Sequence, residues 1–103
     1  MTSNPTILDS DFRYIDKKGN LLQTRTELTV AQMLDFLEEE YQYNYKIILK
    51  SGKEENIDFK TSKGLIEVID SEEDIEKYKQ FKEDFPQEKI MAIGNAKYVA
   101  QIK

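Results

Sequence analysis

The sequence predicts an α+β fold: a mostly antiparallel sheet built of hairpins, with two amphipathic helices packed on one of its faces. Three observations predict it. Apolar residues recur at helical spacing in two stretches, near residues 28–41 and 71–85. Outside those stretches they alternate with polar residues, which is the period of a strand. Gly19, Gly52, Gly64 and Gly94 punctuate the alternating runs, as expected of hairpin turns that need positive φ. The element order is then β-β-α-β-β-β-α-β-β, in one domain of 103 residues.

Residues 1–10, which include Pro5, form an irregular lead-in whose Ile7 and Leu8 can pack on the body. Phe12 and Tyr14 alternate with Arg13 and Ile15 in a first strand over 11–15. Residues 16–20 are turn chemistry and 21–26 return. Thr29 and Gln32 have the spacing of a capping box, with Leu28 and Met33 placed as a staple. The helix they open carries Val30, Met33, Leu34, Leu37 and Tyr41 as its core stripe. Asp35, Glu38 and Glu39 project away from that stripe, with Glu40 on its flank.

Beyond Tyr41 the period falls to two. Tyr43, Tyr45, Ile47 and Leu49 form one side of a strand, Ser51-Gly52 turns the chain, and Ile57 and Phe59 face inward on the way back. This helix and hairpin are the expected nucleus. Residues 61–64 make another turn into a strand over 65–69. Ser71 caps a second helix whose first turn holds Glu72, Glu73 and Asp74, where carboxylates meet the positive end of the helix dipole. Ile75, Tyr78, Phe81 and Phe85 are its apolar stripe and Pro86 its stop. Glu72, Glu76 and Glu83 line its outside with Glu73 beside them. A final hairpin pairs residues 89–93 with 96–102 across Gly94-Asn95, a two-residue type II′ turn.

The net charge of −5 is unevenly placed. Residues 28–45 hold four acids and no base, and residues 71–88 hold seven acids against three bases. The excess therefore lies in the two helices. If they share a face, Asp35, Glu38, Glu39, Glu72, Glu73, Glu76 and Glu83 form one continuous acidic surface, fitted to a basic partner. Direct nucleic-acid binding is disfavoured, because phosphate is repelled by such a surface. Lys89, Lys97 and Lys103 make a small basic end suited to keeping edge strands soluble.

Histidine and cysteine are both absent, which removes imidazole, thiol and disulfide chemistry. No G-x-S-x-G elbow or phosphate-cradling glycine loop occurs. Asp9-Ser10-Asp11 and the acids of residues 70–74 lack the spacing of a calcium loop. No metal or cofactor is expected, and the chain reads as a non-enzyme. A small enzyme using carboxylates or tyrosine alone would need a pocket of converging ionisable groups. No apolar run approaches the ~20 residues of a membrane span, and the first residues lack a signal peptide, so a cytoplasmic setting is expected. Tyr41, Tyr43 and Tyr45 are expected to line the helix stripe and sheet face; any of them exposed would be a candidate anchor for a partner.

In size, acidity and lack of catalytic side chains the chain resembles the small inhibitors carried by phages and mobile elements, among them anti-CRISPR proteins and DNA mimics. The resemblance implies occlusion of a basic, nucleic-acid-handling protein by the acidic helices. An immunity protein that neutralises a bacterial toxin is the alternative. A small self-associating module, monomer or homodimer, built on edge strands such as residues 96–102, is a further one.

Overall fold

The computed structural model describes residues 14–102; the expected lead-in, the start of the first strand and the Asp9–Asp11 acids lie outside them. The fold is α+β. A short antiparallel hairpin, β1 (Tyr14–Ile15) and β2 (Leu21–Leu22), turns on the Asp16 carboxylate. That carboxylate accepts from the Lys18 and Asn20 amides and from Asn20 Nδ2.

Helix α1 (Arg25–Phe36) starts earlier than the Thr29 box predicts. Thr24 caps it, its Oγ1 accepting from the Glu27 amide at 3.0 Å, while Glu27 Oε1 accepts from the Gln23 amide at 3.0 Å. Thr29 is one turn inside and donates to the Arg25 carbonyl instead. The earlier start rotates the buried stripe: Glu27, Val30, Ala31 and Leu34 face inward, at the i, i+3, i+4, i+7 spacing of one helix face. Met33 and Leu37, expected in the core, are exposed, and Tyr41 belongs to the next strand.

β3 (Tyr41–Ile48) and β4 (Glu54–Thr61) form the long hairpin as expected, and β5 (Gly64–Ile69) follows through a tight turn. Ser71 caps α2 (Glu72–Asp84), accepting from the Asp74 amide. The end of the chain departs from expectation. β6 (Ile90–Gly94) pairs parallel with β5, and Asn95 caps a short helix, α3 (Ala96–Val99), where a returning strand was expected. The four-stranded sheet is therefore mixed, in the order β3-β4-β5-β6. Gly94 is not a turn glycine: it pairs with Ile69, and a Cβ there would collide with the Ile69 backbone.

The two helices occupy opposite faces of the sheet, against the expectation that they share one. β5 shows why, because Leu65 to Ile69 are buried without alternation, as in a strand covered on both sides. Ile66 and Val68 join Val30, Ala31 and Leu34 of α1 in one core, with Met91 and Ile93 against it. Leu65 and Ile90 join Phe81 of α2 in a second core, with Tyr78 and Phe85 against it. The β3–β4 hairpin serves both. Its ladder omits the Asn44–Asp58 pair, and Asn44 sits at φ 62, the left-handed region that asparagine tolerates. Tyr41, Tyr43 and Phe59, on one side of this kink, pack on the α1 core. Tyr45, Ile47, Leu49 and Ile57, on the other side, pack on the α2 core. Phe59 and Phe81 are fully buried, one in each core; each such burial is worth about 1.5–3 kcal/mol.

Candidate functional site

Because the helices are separated by the sheet, the predicted acids fall into two groups. Glu72, Glu73, Glu76 and Glu83 lie exposed along α2. None of the four has a cation within ion-pair distance among the described residues. Glu73 and Glu76 also border an open groove of about 800 Å³ between α2 and the tip of the β3–β4 hairpin. Its lysines are paired with other acids, Lys53 with Glu55 on the groove's own wall at 3.1 Å and Lys77 with Glu67 at 3.5 Å. Asp84, at the far end of α2, accepts from the Lys50 amide and from Gln80.

Asp35, Glu38 and Glu39 gather at the C-terminal end of α1. Glu39 is neutralised there: the Ser62 hydroxyl donates to it and Lys63 lies at 3.6 Å, which together hold its carboxyl below the usual range. The neighbouring Glu40 pairs with Lys18 at 3.1 Å. Asp35 and Glu38 have no such partner among the described residues. The helix ends in a Schellman motif, with the Glu38 amide on the Asp35 carbonyl and the Glu39 amide on the Leu34 carbonyl. Glu38 fills the left-handed position at φ 57, where glycine is the usual residue. Beside it stand Met33, Phe36 and Leu37, exposed by 40%, 86% and 62%. The periodic reading put Met33 and Leu37 in the core and left Phe36 unused; the Thr24-x-x-Glu27 spacing is the signal that would have turned them outward.

The three tyrosines separate. Tyr41 is buried and donates to Asp16 at 2.8 Å, and Tyr43 donates to Glu27 at 2.6 Å. Burial first, then the carboxylate beside each, pushes both phenols well above their ordinary range. Both rings lean on Phe59, with centroids 5.4 Å away. Burial opposes ionisation of Asp16, but hydrogen bonds from Asn20, Tyr41 and the Lys18 amide outweigh it and lower its pKa. Tyr43 and Tyr45 are both half-buried, and Lys60 covers the Tyr45 ring at 4.6 Å.

A further ionisable pair lies between β4 and β5, Glu67 buried and Asp58 half-buried. The Asp58 amide donates to Glu67 Oε1 at 3.3 Å, and Asp58 Oδ2 accepts from the Val68 amide at 2.7 Å. Burial, then the Asp58 charge, raises the Glu67 carboxyl strongly; burial also raises Asp58. Glu67 Oε2 has no hydrogen-bond donor among the described residues, and Lys77 Nζ lies 3.5 Å from it. Glu67 is wholly shielded beneath α2, and Asp58 is half-buried. Among the described residues no group of three or more acids converges to hold a metal ion, and no helix is long and apolar enough to cross a membrane. Comparison with protein families, with characterised proteins and with solved structures finds no match.

Proposed function

We propose that this chain is a non-enzymatic interaction protein that inhibits a basic, nucleic-acid-handling partner by occlusion, in the cytoplasm and in the manner of phage or mobile-element inhibitors. The observation that carries the proposal is the run of exposed carboxylates on α2, Glu72, Glu73, Glu76 and Glu83, none of them in an ion pair among the described residues. Lys79 and Lys82 are also exposed on this helix, so the surface carries an excess of negative charge and not charge of one sign. Such an excess steers a complementary surface and selects for it. The glutamate carboxylates take the partner's lysines and arginines, which phosphate would otherwise occupy. With α1 on the other face, this docking surface is a single helix and its groove, narrower than the two-helix strip that a duplex mimic would present.

Capture from the native host, with the wild type and the Glu72→Lys/Glu76→Lys variant as parallel baits, tests the proposal. A basic nucleic-acid-binding protein retained by the wild type and lost with the variant supports it; equal retention refutes it. Recovery of a toxin on the same surface would support the immunity-protein alternative. The self-association alternative loses the edge strand assigned to it, because residues 96–99 are helical.

A further inference from the structure

We infer that the C-terminal end of α1 is a second docking surface, with Phe36 as its anchor, for a protein that presents an apolar cleft rimmed by lysine and arginine. Met33, Phe36 and Leu37 stand at i, i+3 and i+4 and form one contiguous apolar patch on the outside of the helix. Large aromatic side chains held this openly mark contact surfaces in soluble proteins.

The charges around the patch fix what covers it. Asp35 lies in the last turn of α1, where no base is present, and Glu38 follows at once. Carboxylates at this end of a helix add to the negative pole of its dipole and weaken the helix. Of the bases nearby, Lys18 is spent on Glu40 and the Tyr41 carbonyl and Lys63 on Glu39. Exposed Lys17 borders the same hollow as Asp35 and Glu38 without forming an ion pair to either. Glu38 moreover holds a backbone conformation that favours glycine. An exposed phenylalanine, an unfavourable pair of acids and a strained glutamate meet within four residues, and local rules broken together in one place belong to functional surfaces. A second copy of the chain would set Asp35 and Glu38 against the same acids, so the charge selects a cationic rim. This surface lies across the sheet from α2 and is independent of it.

The probe is a short helical peptide of leucine and lysine with its leucines on one side, titrated into the ¹⁵N-labelled protein. Amide shifts centred on residues 33–40 are expected. Phe36→Ser/Leu37→Ser, both surface positions, should weaken binding by about tenfold and leave the circular dichroism unchanged. Glu38→Gly, which relaxes the backbone, should weaken it severalfold, while Glu72→Lys/Glu76→Lys should leave it within about twofold. Shifts confined to α2, or wild-type affinity in the Phe36/Leu37 variant, overturn the inference. So does a wild-type dimer in sedimentation that this variant dissolves, since a second copy would then be the occupant.

Discussion

Asp58 and Glu67 bridge the gap that opens where β4 leaves β5. The ladder between these strands ends at the Phe59–Ile66 pair. Beyond it each acid takes a backbone amide from the opposite strand, Glu67 from Asp58 and Asp58 from Val68. Two carboxyl groups thus stand in for ladder carbonyls at the place where the hairpin passes its apolar side from one helix to the other.

This arrangement makes stability depend on pH with a definite sign. Glu67 titrates above its ordinary 4.5 in the folded state, so the native protein holds a proton that the unfolded chain releases. The associated stabilisation is complete below about pH 4.5 and is lost as the pH rises through the raised value. Glu67→Gln keeps an acceptor for the Asp58 amide and can donate to the Asp58 carboxylate without ionising. It should gain on the wild type between about pH 5 and pH 8, by on the order of 1–2 kcal/mol. Urea titrations across that range check this; parallel curves for the two proteins would rule it out.

Gly94 and Gly52 should respond to alanine for different reasons. At Gly52 the cost is a left-handed backbone at φ 93 with open space around it, about 1 kcal/mol. At Gly94 the new methyl meets the Ile69 backbone, which cannot swing aside as a side chain can. Gly94→Ala should cost about 3 kcal/mol or unfold the domain. Equal losses in thermal melts would mean that β6 does not lie against β5 as described.

The start of α1 is equally testable. Thr24→Ala removes the acceptor of the Glu27 amide and should cost about 1 kcal/mol. Thr29→Ala, inside the helix, should change stability by less than about 0.5 kcal/mol. The reverse ranking would restore the later helix start.

Glu38→Gly should raise stability by about 0.5–1 kcal/mol, since glycine takes the φ of 57 without strain and removes an acid from the helix end. Chemical denaturation reads this directly, and a loss of stability would show that Glu38 is held by contacts that favour it.

Much of the fold was legible because single segments carry it. Ser71 and its three acids, the alternation from Tyr43 to Leu49, and the turns at Gly19, Gly52 and Gly64 all behave as local chemistry dictates. The misreadings arose where two local solutions compete. Thr24 with Glu27 and Thr29 with Gln32 both have the capping spacing, and a stripe holding Glu27 and Ala31 looks less like a core than one holding Met33 and Leu37. Glu27 keeps its buried place through the Gln23 amide four residues before it and through Tyr43, which lies outside the helix and its pattern. The parallel pairing of β6 depends on α2 crossing the sheet, and Gly94-Asn95 resembles a hairpin turn until Ile69 is set beside it. Partition of the acids followed from those tertiary choices, so the charge was readable and its surface was not.

The most direct test of the central claim, that α2 engages a basic partner through its carboxylates, is the dissociation constant of the captured partner measured against salt concentration. For the wild type, affinity should fall steeply and linearly on logarithmic axes as salt screens the contact. Glu72→Lys/Glu76→Lys should bind far more weakly at low salt and show a flatter slope. An affinity indifferent to salt, or a variant whose line overlays the wild type, would contradict it.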